Sequence, residues 1–251
     1  ERHEITQSTG ASATTLESLT WYDEVGRTIK VQGGQLAKTA YDRLGRATDR
    51  YVLGQMNDGA YADADDVAGD HVMEQMVTVY ESDESNLVVA SAVIQREHDD
   101  TTTTGALDSG ADGDLLAFTA ANITGRIQIS ATWYDALDRA VTSASYGTNG
   151  GSDFDRDGLS APSQGVSTVI VSDTVYNDDG EVLDTIDPED VTTRFAYDDL
   201  GRQTQVTRNY VNGTPSSASG DDDLITWHEY TDGLKTAMIV DQDADGVKDT
   251  N

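Results

Sequence analysis

Apolar and polar residues alternate with a period of two along much of the chain. Val191, Thr193, Phe195 and Tyr197 fall on one face of such a run, and Thr192, Arg194 and Ala196 on the other. Ile127, Ile129, Ala131 and Trp133 alternate in the same way with Arg126, Gln128, Ser130 and Thr132. Successive strand side chains point to opposite faces, so the pattern predicts β-strands with one face on a core. Further strands are predicted over 72–80, 87–95, 167–176 and 203–211. Long helical periodicity is missing, and only 115–122 has room for a short helical turn. The predicted class is all-β, built from tandem antiparallel hairpins with little helix.

The runs are punctuated by one recurring hexamer. Tyr22-Asp23-Glu24-Val25-Gly26-Arg27 returns as Tyr41-Asp42-Arg43-Leu44-Gly45-Arg46 and as Tyr197-Asp198-Asp199-Leu200-Gly201-Arg202. Weaker copies begin at Tyr134-Asp135 and at Tyr176, the latter reaching Gly180, and degenerate ones begin at Tyr80 and Tyr230. The intervals between these seven tyrosines are 19, 39, 54, 42, 21 and 33 residues, near one or two lengths of about twenty with insertions. Each hexamer has a mechanical reading. Tyr ends a strand, Asp accepts hydrogen bonds from the amides that follow, and Gly supplies positive φ. That is a type I turn closing a hairpin, with a bulge at the Gly. Arg opens the return strand, where it covers a Tyr face or pairs with Asp.

Polar stretches near 54–70, 99–114, 147–164 and 212–223 interrupt the pattern. Their Gly, Asp, Ser and Thr content reads as surface loops, and loops this long and acidic are expected to be mobile or ordered by an ion. With the insertions set aside, residues 1–251 read as one continuous array. The chain opens at Glu1 without Met and stops in an acidic stretch, which is expected of a processed product or an excerpt of a longer polypeptide.

The hexamer Tyr-Asp-x-x-Gly-Arg, repeated at about twenty residues, resembles the YD repeats of Rhs proteins, teneurins and the large Tc-toxin shell subunits. The resemblance is fullest from Gly180 to Arg202 and touches 20–53, 72–96, 125–146 and 167–240. It implies a spiralling sheet of hairpins that coils into a hollow shell or runs as an extended array. It also implies scaffolding roles: enclosing a toxin, displaying adhesion surfaces, or binding carbohydrate. The chain departs from the family in its long insertions and in lacking the self-cleaving segment that follows the repeats in Rhs toxins. The insertions look more like those of giant surface proteins of environmental bacteria.

Charge narrows the partners. The chain has 46 acids and 16 bases, a net charge of −30, and no cysteine. Such a surface repels nucleic acid and anionic membrane and suits high salt or divalent cations. No apolar run is long enough to span a membrane as a helix. Absence of cysteine is compatible with a bacterial secreted or cell-surface protein that does without disulfides.

Calcium is the candidate ion. Asp241, Asp243, Asp245 and Asp249, with Gly246 at the sharp turn and the Val247 carbonyl, follow the first nine positions of an EF-hand-type loop. Asp153, Asp155 and Asp157 before Gly158 follow the first half of such a loop, with Ala161 where a later ligand would stand. Asp63, Asp65, Asp66 and Asp70, and Asp108, Asp112 and Asp114, match no known spacing, and Asp221 to Asp223 read as a solvated charge run. The histidines His3, His71, His98 and His228 form no zinc motif, and His98-Asp99-Asp100 lacks a nucleophile elbow to complete a triad. No catalytic residues are therefore assigned. Trp21 and Trp133 precede Tyr-Asp pairs, so one ring of each Trp-Tyr pair is expected to face outward, for a glycan or a neighbouring subunit. The reading is a non-enzymatic structural segment of a secreted or surface protein, self-associating with further copies or adjoining repeats. A glycan-binding adhesion module and the wall of a toxin-enclosing shell stand as alternatives.

Overall fold

The computed structural model describes residues 2–9, 12–57, 64, 66–82, 85–110, 117–214, 222–241 and 246–248, with side chains from residue 18 onward. Seventeen strands follow one another: β1 (Arg2–Thr9), β2 (Ser12–Tyr22), β3 (Thr28–Gln32), β4 (Ala37–Tyr41), β5 (Ala47–Gln55), β6 (His71–Tyr80), β7 (Val88–Gln95), β8 (Ala117–Phe118), β9 (Arg126–Tyr134), β10 (Ala140–Gly147), β11 (Phe154–Asp155), β12 (Ile170–Tyr176), β13 (Val182–Ile186), β14 (Thr192–Tyr197), β15 (Gln203–Arg208), β16 (Leu224–Thr231) and β17 (Leu234–Val240). Among the described residues the only helical pieces are 3-10 turns, at Ala120–Asn122 and Asn149–Gly151. The protein is all-β. No described helix is long and apolar enough to cross a membrane.

Fifteen strands form one sheet in chain order, and β8 pairs with β11 in a separate two-stranded ribbon. Every strand pair with a described register is antiparallel, so consecutive connections alternate between the two ends of the strands. The chain clusters into two compact units, residues 1–131 with 145–160, and 132–144 with 161–251. In the first unit the turns that follow Tyr22, Tyr41 and Tyr80 lie at one strand end, and the long connections after β5 and β7 leave from the other. In the second unit the turns after Tyr134, Tyr176, Tyr197 and Tyr230 again share one end.

The long connections are not simple surface loops, and this corrects the reading of 54–70 and 99–114. In the first unit Tyr51, Leu53, Val72 and Ile94 from β5, β6 and β7 form a core with Leu107, which comes from the connection after β7 and has no exposed surface. Met56, Val67, Ala106 and Ile123 pack against it. The insertions therefore fold back over the sheet and bring their few apolar residues with them. Their polar composition masked this because the backbone is satisfied from within. Gln75 accepts from Leu107 N and Asp108 N at 2.7 and 2.8 Å through Oε1 and donates to Asp49 at 2.9 Å. Arg96 donates to the Val72 and Thr103 carbonyls and to Asp100.

One ion pair lies inside this layer. Lys38 Nζ on β4 meets Asp70 Oδ2 at 2.7 Å, with side chains 1% and 0% exposed. Lys38 also donates to the Asp66 carbonyl, while Asp70 accepts from Asn57 N at 2.6 Å and its carbonyl accepts from Gly105 N at 2.9 Å. Asp70 thus ties both insertions to the sheet, through its carboxylate and its backbone carbonyl.

The second unit buries fewer large side chains. Trp133, Ala144, Val171 and Ile225 are buried there with Thr142, Asp184, Thr207 and Asp223. Asp223 is not the solvated charge expected of an acidic run. It is 1% exposed and accepts from Val211 N and Gly213 N at 3.0 and 2.9 Å, which shapes the loop after β15. Its neighbour Asp222 accepts from Asn209, and Asp221 lies outside the described residues.

Breaking the Lys38–Asp70 pair on one side leaves a lone buried charge. Lys38→Met or Asp70→Leu alone is expected to cost about 3–5 kcal/mol in urea unfolding, and the double replacement much less. Equal losses in all three variants would contradict the pair's place in the core.

Candidate functional site

The recurring feature of the molecule is the turn after each Tyr. Asp23 Oδ1 accepts from Val25 N at 3.1 Å and Arg27 N at 2.8 Å, its N–H reaches the Arg27 carbonyl at 2.9 Å, and its carbonyl accepts from Gly26 N at 3.1 Å. The same four bonds recur at Asp42, Asp135 and Asp198. A short acceptor at the first turn position can do this because its carboxylate reaches amides two and four residues on. The fourth position takes positive φ: Gly26, Gly45, Gly180 and Gly201 do so, and Asp138 stands there in the Tyr134 copy with φ 62°. A register shift falls just before each of Tyr22, Tyr41, Tyr80, Tyr176, Tyr197 and Tyr230, so the return strand carries an extra residue one step beyond the turn. That second irregularity has no mark in the hexamer.

Arg fixes the turn to itself and to the next hairpin. Arg27, Arg46, Arg139 and Arg202 each pair with the Asp of their own turn, at 2.5 to 2.6 Å. Their guanidinium planes lie over the tyrosine of the following hairpin: Arg27 over Tyr41 at 4.6 Å, Arg46 over Tyr80 at 4.2 Å, Arg139 over Tyr176 at 4.2 Å and Arg202 over Tyr230 at 4.7 Å. That tyrosine returns the contact. Tyr41, Tyr80, Tyr176 and Tyr230 donate their hydroxyls to the carbonyl just after the Arg, at 2.9, 3.1, 3.2 and 2.9 Å. Space is matched too. A Cβ on Gly45 would stand 3.2 Å from Arg27 Nη1, so glycine there answers both the backbone angle and the neighbour's side chain.

One rung is inverted. Asn177 and Glu181 replace Asp and Arg, with Asn177 Nδ2 donating to Glu181 Oε2 at 2.8 Å and Asn177 Oδ1 accepting from Glu181 N at 2.8 Å. Tyr197 still donates to Val182 O at 2.9 Å, and a Cβ on Gly201 would meet Glu181 Oε1 at 3.0 Å. Burial and then the Glu181 charge push the Tyr197 hydroxyl pKa up. The turn between β13 and β14 uses the same carboxylate cap without a tyrosine: Asp187 accepts from Glu189 N and Val191 N, and Asp190 takes φ 64°.

The calcium candidates are placed as follows. Phe154 is a core anchor against Phe118 and Tyr146, at ring centroid distances of 6.2 and 4.9 Å. Its neighbours Asp153 and Asp155 already accept from Ala120 N and Asp157 N. The described residues hold no group of three or more metal-ligating side chains, so Asp153, Asp155 and Asp157 are not gathered into a cation site. Phe154 and Asp155 pair with Phe118 and Ala117 in the β11–β8 ribbon. Asp243, Asp245 and Asp249 lie outside the described residues, as do Asp63, Asp65, Asp112 and Asp114. Asp241 accepts from Gly246 N at 2.8 Å through Oδ2, Val247 is exposed, and Lys248 pairs with Glu229.

The aromatic expectation is corrected for Trp133. Its ring is 9% exposed and belongs to the core, because alternation puts it on the same face as Ile129 and Ala131. Trp21 is half-buried with Lys30 Nζ over its ring at 4.2 Å. His228 Nδ1 lies 3.2 Å from the Gln203 carbonyl, and His98 is exposed beside Asp100, whose carboxylate is occupied by Thr102, Thr103 and Arg96. The side chain of His3 lies outside the described ones.

Fold and turns together define an array of antiparallel hairpins closed by recurring Tyr-Asp turns. Residues 176–214 match the family model of the RHS Repeat. No curated protein matches the chain by sequence. Among solved structures, the crystal structure of TcdB2-TccC3-TEV is similar at 15% identity and a TM-score of 0.33, over 90% of this chain and 11% of that one. The crystal structure of TcdB2-TccC3 is similar at 13% identity and a TM-score of 0.34, over 90% and 12%. The Photorhabdus luminescens Tc holotoxin pore with a TccC3 mutation is similar at 15% identity and a TM-score of 0.34, over 90% and 11%. The chain spans only about a ninth of those chains.

The turn carboxylates set an acid limit. Burial is the largest single influence on Asp23 and Asp42 and acts upward, but bonds from Arg27 and Arg46 outweigh it and hold both below the usual range. Bonds from the Arg139 and Arg202 side chains lead in lowering Asp135 and Asp198. Bonds from Thr103 N, then Thr102 N, lead in bringing Asp100 to about 2. Carboxylates depressed by folding stabilise fully above their ordinary value of 3.8, and that contribution disappears as pH falls through the folded values. Stability followed by urea unfolding is therefore expected to fall progressively between about pH 4 and about pH 2. A flat profile across that interval would show that the turns do not depend on ionised Asp.

Proposed function

We propose that the chain is a structural, non-enzymatic segment of a secreted or cell-surface bacterial YD-repeat protein, part of an extracellular β-rich array. The observation that supports this most is the Arg-to-Tyr contact repeated from hairpin to hairpin, at 4.2 to 4.7 Å. The family's most distinctive side chains are consumed in holding turns and stacking neighbours, which leaves them no bond-making task. The match of 176–214 to the RHS Repeat supports a second reading, one wall of a toxin-enclosing shell. Electron microscopy of the parent protein in native secreted material tests both. Continuous arrays are expected, closed containers would favour the second reading, and discrete compact monomers would overturn both.

The acidic loop from Asp241 is proposed to take calcium, with Asp243, Asp245, Asp249 and the Val247 carbonyl completing the set. What supports it is Asp241 Oδ1, which is buried and has no hydrogen-bond partner among the described residues. A hard cation would satisfy that oxygen and order the loop. Calcium at 100 times its dissociation constant is expected to add about 2.7 kcal/mol of stability, removed by EDTA. The Asp241→Asn variant should lose the gain. A melting curve indifferent to both calcium and EDTA would refute the site.

A further inference from the structure

The Lys38–Asp70 pair is placed for more than attraction. Lys38 is on β4, Asp70 ends the connection from β5 to β6, and both side chains are closed off from solvent. Nζ stands 2.7 Å from Asp70 Oδ2, yet Oδ2 has no hydrogen bond among the described residues, so the two groups meet outside hydrogen-bond geometry. The other carboxylate oxygen differs: Asp70 Oδ1 accepts from Asn57 N at 2.6 Å. Lys30 stands opposite Lys38 on β3 and is also buried, so two ammonium groups share one face of the sheet. The charge of Lys30 rests on the Trp21 ring at 4.2 Å, whereas Lys38 faces the carboxyl group. Like charges opposite one another are unfavourable, and a buried ion pair gives up hydration that its attraction only partly returns.

We propose that Lys38 and Asp70 condense to an intramolecular amide, a covalent link between β4 and the connection after β5. Nζ attacks Cγ, a bond forms between these two atoms, and the bond from Cγ to Oδ2 breaks. Two of the three ammonium protons leave with Oδ2 as water, and the third stays on the amide nitrogen. Both charges disappear, and no oxidant, reductant or other co-reactant takes part. Partners for the product's polar atoms are already in place. Asn57 N, which holds Oδ1, stabilises the negative charge that develops there during attack and then bonds the amide carbonyl. The Asp66 carbonyl, which accepts from Nζ, takes the amide N–H. A fold that holds amine and carboxyl in contact raises their effective concentration to as much as about 10⁵–10⁸ M. Exclusion of solvent from the pair then protects the amide from hydrolysis. The chain has no cysteine, so this bond does for the first unit what a disulfide does elsewhere. The ion pair is the form before reaction, and the unfolding costs given above for its variants refer to that form.

Intact-mass spectrometry of the whole chain, folded and held at neutral pH, is the test. The mass is expected one water below that of the sequence. Tryptic digestion is expected to leave the bond after Lys38 uncut and to yield a branched peptide joining Lys38 to Asp70. Chain kept in urea from the outset should retain the full mass and lose the water only after refolding. Lys38→Arg keeps the charge but offers no attacking amine, and should also retain the full mass. A chain that is folded by circular dichroism and still holds the full sequence mass after prolonged incubation would overturn the proposal. So would a water loss that persists in Lys38→Arg, since that places it elsewhere, at a succinimide such as Asp179-Gly180 could form. Either result leaves the reading as a structural array standing, since that depends on native material and not on this bond.

Discussion

The guanidinium of one turn lying on the tyrosine ring of the next hairpin is the contact on which the rest depends. Backbone ladders join neighbouring strands wherever they meet, but they are indifferent to which hairpin follows which. The Arg is held by its own Asp before it reaches outward, so little side-chain freedom remains to be lost when the tyrosine packs on it. The tyrosine hydroxyl then bonds to the carbonyl beside that Arg. Three residue types therefore do two tasks at once: they close a turn and they set the spacing to the next.

The turn after Tyr80 departs from the others. Arg46 reaches Tyr80, but the turn after Tyr80 has no Arg-Asp pair, and Arg46 instead donates to the Ser82 and Ser85 carbonyls within it. In the second unit the contacts run from the turn after Tyr134 through Tyr176 and Tyr197 to Tyr230, crossing the inverted Asn177–Glu181 rung on the way. Each series lies within one compact unit. The first unit adds a second kind of cohesion, the folded-back insertions pinned by Lys38, Asp70 and Gln75. The second depends more on polar rungs such as the Arg194–Asp184 fork, with two bonds of 2.7 Å and Tyr210 stacked beneath the Arg.

Strands and turns were readable because both rest on local rules. Alternation over 126–134 and 191–197 placed Ile129, Ala131 and Trp133 on one face, and the Tyr-Asp hexamers marked reversals of the chain. The strand expected over 167–176 begins only at Ile170, because Val166 to Val169 closes a turn. What stayed hidden is non-local. Nothing near Leu107 announces that it fills the gap between Tyr51 and Ile94, and nothing near Lys38 announces a carboxylate 32 residues away. The acidic runs misled for the same reason. Asp70 and Asp223 look like their solvated neighbours until the fold supplies amides and an ammonium group for them to accept from.

The four turn arginines all stack the same way, each on the tyrosine of the following hairpin. A hairpin is therefore a cassette with distinct leading and trailing faces. Duplicating or deleting a whole cassette restores a matching junction on both sides, so evolution can change the length of such a protein in steps of two strands. Cutting elsewhere leaves an arginine without its ring or a ring without its arginine, and lineages should carry their breakpoints at the turns.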